Sequence, residues 1–421
     1  MTQSGHTQQP WQRVAHAAGL LAADGTTRAT IFAEMTALAT KTGAVNLGQG
    51  FPDSDGPRAV TDAAAAAIRD GINQYPPGPG IPELRQAIAA HQERHYDISL
   101  DPDRQVLVTT GATEAIAAAL LALASPGDDV LTLEPYYDSY AAVIALTGAR
   151  HTRAPLVPGP TGFRLDLTAL RRAVNDRTRV ILLNTPHNPT GAVLSAAELA
   201  EVARLAQVHD AVVVTDEVYE HLTYDDVPHL PIATMPGAAA RTLTISSAGK
   251  SFSVTGWKIG WISGPAELIE AVRTVKQFLT YTSGAPFQPA VALALGLETS
   301  DSPDADWLPT LRRSLAHRRD QLTDGLRHAG LAPVPAAGTY FVMADAQPLL
   351  AGPLAGAGIT TAEELCRRLP ELAGVVAVPA TAFTTAGSPS TDALRTWVRF
   401  TFVKSEATIA EALRRLQTLA A

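Results

Sequence analysis

Between residues 105 and 262, short apolar, β-prone runs alternate with stretches of helical pattern, and this alternation limits the fold more than any other feature. The runs are Gln105 to Thr109, Val130 to Leu133, Val180 to Leu183, Ala211 to Val214, Thr242 to Ser246 and Trp257 to Ile262. Among the intervening helices are Ala115 to Ala124 and one opened by S-A-A-E, Ser195 to Glu198, a capping box in which serine and glutamate satisfy orphan backbone donors. Such alternation implies an α/β fold, a mostly parallel sheet of seven-stranded type between helices. Ligands of such sheets sit beyond the carboxyl ends of the strands. There the chain carries N-T-P-H-N-P-T-G (Asn184 to Gly191), T-D-E-V-Y (Thr215 to Tyr219) and S-S-A-G-K-S-F-S-V-T-G-W-K (Ser246 to Lys258). An amide, a carboxylate, a phenol and two amines therefore gather at one rim around Lys250.

A-G-K-S also looks like the end of a phosphate-binding P-loop. That motif needs an earlier glycine where this chain has Thr244. The strand V-V-V-T-D-E, which could pass for a magnesium-binding strand, precedes the lysine segment instead of following it. Both counts exclude the nucleotide hydrolase. Neither H-E-x-x-H nor a strand followed by G-x-G-x-x-G is present, which excludes the common metal hydrolases and dinucleotide enzymes. A net charge of −8 argues against a nucleic-acid binder. A single cysteine, Cys366, removes any disulfide within the chain and any thiolate-rich metal site. No metal ligand is assigned. No apolar run approaches the roughly 20 residues needed to cross a bilayer. The stretch Val14 to Ala23 faintly resembles a leader core, but His16 interrupts it and Asp24 follows. It is read as an arm of a cytosolic protein.

The remainder divides around this block. Residues 1–27 show no firm pattern, Ile31 to Ala39 has helical spacing, and V-N-L-G-Q-G-F-P-D (Val45 to Asp53) reads as a strand entering a glycine-rich loop. Ala59 to Gly71 reads as a helix stopped by its glycine. Y-P-P-G-P-G (Tyr75 to Gly80) can be neither helix nor ladder and forms a rigid loop before a helix starting near Pro82. T-S-D-S-P-D-A-D (Thr299 to Asp306) marks a boundary. Beyond it come a helix at Leu311 to Ala329 and strand-like runs at Thr339 to Ala344, Val375 to Val378 and Val398 to Val403. The expected organisation is an arm and the start of a small domain at 1–55, a large ligand-binding domain at 56–298, and a small α+β domain at 299–421.

From about Ile31 to its end the chain resembles the fold-type I, pyridoxal-phosphate-dependent aminotransferases of class I/II. Within them it is most similar to the N-succinyldiaminopimelate aminotransferases of actinobacteria, then to kynurenine and methionine/glutamine enzymes. V-N-L-G-Q-G-F-P-D, N-Q-Y-P-P-G-P-G, E-P-Y-Y-D-S-Y, T-D-E-V-Y-E-H-L and G-A-P-F-Q-P-A-V-A-L-A-L carry the likeness. The resemblance implies that Lys250 holds pyridoxal 5'-phosphate as a Schiff base and then moves the substrate Cα proton, a task for an amine of lowered basicity. Asp216 would pair with the pyridine nitrogen, Asn188 and Tyr219 would hydrogen-bond the phenolate oxygen, and Val218 and Tyr137 would sandwich the ring. Gly111, Ala112 and Thr113, where a strand turns into a helix, would bind the phosphate with Ser247 and Lys258. Arg399, in V-R-F-T-F, would clamp the substrate α-carboxylate, and Gly50 would let its backbone approach the same group. Tyr75 matches a tyrosine lent across a homodimer interface to the neighbour's phosphate.

The implied reaction is transfer of an amino group between an amino acid and 2-oxoglutarate by ping-pong half-reactions. N-succinyl-L,L-diaminopimelate of the lysine pathway is the expected donor. Where kynurenine enzymes tend to carry tryptophan and an aromatic–histidine pair, this chain has Phe32, Tyr281 and Thr282, which disfavours an aromatic substrate. A second cationic contact for a dicarboxylic substrate is expected, with Arg28 as the candidate. Fold alone leaves other activities open: a kynurenine-, methionine- or glutamine-type aminotransferase, or a β-lyase that uses Lys250 and Asp216 to expel a group from Cβ. A regulatory relative would need an added DNA-binding domain, for which residues 1–27 are too short.

Overall fold

The computed structural model describes residues 9–22 and 24–420. Its central sheet is eight-stranded. The strands are β1 (Val106–Thr110), β2 (Asp129–Glu134), β3 (Arg150–Gly159), β4 (Gly162–Leu165), β5 (Thr178–Asn184), β6 (Val212–Asp216), β7 (Thr242–Ser247) and β8 (Ile259–Ser263). They pair in the order β1-β8-β7-β6-β5-β2-β3-β4. From β3 through β2, β5 and β6 to β7 every pairing is parallel, whereas β8 is antiparallel to both neighbours. Eight strands exceed the expected seven; the two that correspond to no run named from the sequence are β3 and β4, and β4 folds back on β3 with Gly159 opposite Gly162. Gly162 takes φ +105°, open to glycine alone at low cost.

Both faces of this sheet are covered. Along β5, Ile181 and Leu183 join one apolar cluster while Val180 and Leu182 join another. This is the period-two pattern of a strand buried on both sides. Helix Gly111–Leu123 begins directly at the end of β1 rather than at Ala115, because Gly111 at φ +72° turns the chain sharply. The capping box at Ser195 opens helix Ala196–Val208. The arm also contains a helix, Pro10–Ala17, lying on helix Ser139–Thr147.

Toward the C-terminus, helix Trp307–His328 precedes a four-stranded antiparallel sheet. Its strands are β9 (Ala332–Pro333), β10 (Phe341–Asp345), β11 (Val378–Pro379) and β12 (Trp397–Thr401), in the order β9-β10-β12-β11. Val45–Asn46 pairs in parallel with Val375–Val376 as a separate two-stranded sheet, and the Thr401 N–H donates to the Leu47 carbonyl at 2.8 Å, which ties the residues leading into Gly48–Gly50 to β12. No helix of the described residues is long and apolar enough to cross a membrane.

Candidate active site

The ends of β1, β5, β6 and β7 and the start of β8 open on one cleft of about 160 Å³. The reversed direction of β8 brings its first residues to the rim where the parallel strands end. Gly111, Ala112, Thr113, Tyr137, Asn188, Asp216, Val218, Tyr219, Ser247, Lys250 and Lys258 all line the cleft. Lys258 is not inside a strand, as the run Trp257 to Ile262 suggested. It precedes β8 with φ +56°, and this left-handed turn swings its ammonium against Gly111, where an added Cβ would lie 3.3 Å from Nζ.

The phosphate-sized end of the cleft is shaped by close backbone contact. A Cβ on Gly260 would lie 2.6 Å from the carbonyl carbon of Gly111 and 2.7 Å from the nitrogen of Ala112. Strand β8 therefore presses directly under the first turn of helix Gly111–Leu123, whose leading N–H groups lack intrahelical acceptors. Neither Lys250 nor Lys258 has a hydrogen-bond or ion-pair partner among the described residues. Burial, then the charge of Lys250, lowers the pKa of Lys258.

Asp216 ends β6 fully enclosed. The Tyr140 hydroxyl donates to its Oδ2 at 2.7 Å, and the Val218 N–H to Oδ1 at 3.4 Å. Burial pushes its pKa up to about 6, although Tyr140, Val218 and Lys250 all favour the carboxylate. From Asp216 a relay crosses the cleft floor. Asn184 Nδ2 donates to the Asp216 carbonyl at 2.8 Å, the Asn188 N–H donates to Asn184 Oδ1 at 2.8 Å, and Arg399 Nη1 donates to Asn188 Oδ1 at 2.9 Å.

Arg399 lies on β12, between Met343 of β10 and Val378 of β11. It is neither an edge residue nor paired with a surface acid. Its guanidinium is 4.0 Å from the Phe341 ring centroid, 4.4 Å from that of Phe383 and 5.6 Å from that of Phe32. Nη2 donates to the Gly48 carbonyl at 2.8 Å, while Nε is buried without a partner. Burial pulls the group down to about 10, so it stays charged at neutral pH. Gly50 has a different reason to be glycine from the one expected: a Cβ there would lie 2.4 Å from Cζ of Phe341. Its carbonyl accepts from the Tyr340 hydroxyl at 2.6 Å.

Four expected residues do not line the cleft: Gly50, Tyr75, Arg28 and Arg399, the last of which reaches its wall at Asn188. Tyr75 is 85% exposed and meets Tyr281 edge-on, ring centroids 5.7 Å apart. Arg28 is exposed and donates to the Leu21 carbonyl. The sequence reading passed over Tyr140, Asn184, Tyr340 and Phe341. Tyr140 and Asn184 stood within motifs already quoted, but nothing local shows that the Tyr140 hydroxyl meets a carboxylate from a distant strand.

Residues 42–416 match the family described as aminotransferase class I and II. A Mycobacterium tuberculosis protein described as a probable N-succinyldiaminopimelate aminotransferase is 56% identical over 93% of this chain and 96% of its own. The chain belongs to the class I and II aminotransferases. The solved N-succinyldiaminopimelate aminotransferase of M. tuberculosis superposes on this aminotransferase with a TM-score of 0.87 at 54% identity, covering 93% of this chain and 97% of that one. The methionine aminotransferase of Escherichia coli is 37% identical over 93% of this chain and 96% of its own. The fold-type I architecture expected from the sequence is thus met in this aminotransferase, as is its assignment as a transaminase.

Proposed function

We propose that this aminotransferase holds pyridoxal 5'-phosphate on Lys250 and moves the amino group of N-succinyl-L,L-diaminopimelate to 2-oxoglutarate. The observation that carries the cofactor is the pair of unpartnered amines, Lys250 and Lys258, sharing one cleft with the open N-terminus of helix Gly111–Leu123. Like charges so close need an anion, and a phosphate ester suits the cup that Gly111 and Gly260 leave free of side chains. The buried Asp216 suits a ring nitrogen, whose proton would offset the desolvation of the carboxylate. When bound, pyridoxal phosphate supplies an electron sink for the charge left on the substrate Cα.

The chain's own groups then divide the work. Lys250 Nζ, 5.8 Å from the ring centroids of both Tyr219 and Tyr340, moves the Cα proton. Tyr140 and the Val218 N–H hold Asp216, which would keep the ring nitrogen protonated, and the Asn188 amide nitrogen and the Tyr219 hydroxyl would donate to the phenolate oxygen. The Nε of Arg399, buried and unpartnered, binds the substrate α-carboxylate together with a terminal nitrogen. The Asn184–Asn188–Arg399 relay keeps this clamp in register with Asp216. We further propose a homodimer in which the exposed Tyr75 completes the partner's phosphate site.

Support for the donor comes from the 56% identical relative and from Phe32, smaller than an indole, beside Arg399. The test is the visible spectrum of the cofactor-loaded protein. Adding N-succinyl-L,L-diaminopimelate without a 2-oxo acid should bleach the band, and 2-oxoglutarate should restore it. A band that this donor leaves unmoved, while methionine or kynurenine bleaches it, would overturn the substrate and leave the cofactor standing. Release of pyruvate and ammonia from a cysteine conjugate, with no bleaching by the amino donor, would favour the β-lyase.

A further inference from the structure

A cluster of imidazoles lies outside the cleft. His91 and His95 occupy successive turns of helix Pro82–Tyr96, and His221 follows the Asp216–Tyr219 turn. One ligand nitrogen from each lies within 4.8 Å of the other two. The ring centroids form a near-equilateral triangle: 4.5 Å for His91–His95 and 4.9 Å for both His91–His221 and His95–His221. We propose that His91, His95 and His221 form a binding site for a divalent transition metal of the zinc class, with Glu298 orienting His95.

The plainer alternative is a hydrogen-bonded histidine cluster. His91 Nε2 and His221 Nε2 are 2.8 Å apart, so one donates to the other. His95 stands outside that bond, its Nε2 2.7 Å from Glu298 Oε1, a contact that orients the ring as carboxylates orient metal-bound imidazoles. Four-coordinate zinc at 2.0–2.1 Å from nitrogen spaces its ligands by about 3.4 Å. This lies between the 2.8 Å pair and the 4.8 Å limit of the trio, so the tight pair would open by about 0.6 Å and the widest separation close by up to about 1.4 Å.

The supporting groups also suit a metal. Arg94 Nε donates to Glu298 Oε1 at 2.5 Å and fixes the carboxylate, and Gln92 Nε2 stands 3.5 Å from His91 Nδ1. Such outer contacts orient metal-binding imidazoles and carboxylates. An open cleft of about 610 Å³ reaches His95, His221 and Glu298 and provides the entry path. Three imidazole nitrogens favour zinc, cobalt or nickel over calcium or magnesium. The metal would join helix Pro82–Tyr96 to the segment just after Tyr219, and so brace the cleft from outside.

The test uses the full-length, cofactor-loaded protein after dialysis against a chelator. Titration with Co²⁺ should give the intense visible bands of a tetrahedral site, saturating at one ion per chain, and Zn²⁺ should displace them. His95→Ala, at a partly exposed position, should weaken Co²⁺ binding at least tenfold, as should Glu298→Gln. His328→Ala, remote and exposed, should not. Absence of tetrahedral bands in the wild-type protein would overturn the proposal without reference to any variant. Bands of equal strength in His95→Ala and Glu298→Gln would place the ion elsewhere and overturn it equally.

Discussion

Burial raises the pKa of Asp216 to about 6, and Tyr140, Val218 and Lys250 only partly oppose it. The sign of the consequence is definite. Its pKa in the folded protein lies above the unfolded value, so the native state binds the extra proton and loses stability as pH rises from about 4 through 6. In cofactor-free protein, wild type should therefore lose up to about 3 kcal/mol relative to Asp216→Asn between pH 4 and pH 7, at 1.36 kcal/mol per pKa unit. Urea melts at both pH values check this, and parallel curves would remove the buried charge. At Arg399, substitution by lysine keeps a charge but loses the fork. KM for both amino acid and 2-oxo acid should rise about 10- to 100-fold, as expected for a lost charge-assisted hydrogen bond. Steady-state kinetics showing an unchanged KM would free Arg399 from the carboxylate. Residue types that do one job in one place, such as Lys250 and Asp216, stood out in the sequence. Tyr140, Tyr340 and Phe341 did not, because their partners lie on other elements.

At the scale of elements, strand–helix alternation was legible because period-two burial and glycine-led turns write themselves locally. Strand ends moved by a residue or two, since apolar runs do not mark where the last ladder bond forms. The β3–β4 hairpin was missed for a physical reason. R-H-T-R-A-P-L-V-P-G mixes charge and proline, and its outer strand lies at the sheet edge, where no continuous apolar run is needed. The contact of β8 beneath helix Gly111–Leu123 was equally invisible, though it sets the phosphate cup. Gly260→Ala puts a methyl group within 2.6 Å of backbone that cannot rotate away. It should destabilise the fold by about 1–3 kcal/mol and weaken cofactor retention, measured by denaturant melts and by absorbance after gel filtration. Full retention of cofactor would mean that the cup relaxes.

For the whole molecule, the exposure of Tyr75 and Phe278, at 85% and 86%, fits a surface that a second copy covers. Lys250→Ala and Tyr75→Ala proteins should each be nearly inactive alone. Unfolded and refolded together, they should regain about a quarter of wild-type activity, because half the dimers are mixed and each has one intact site. No recovery would confine Tyr75 to its own chain. The account as a whole rests on Lys250 carrying the cofactor, and borohydride reduction of the loaded protein followed by peptide mapping tests it most directly. The cofactor should be found fixed to the peptide containing Lys250, with Lys258 unlabelled. A label on Lys258, or none anywhere in a protein that still transaminates, would contradict it.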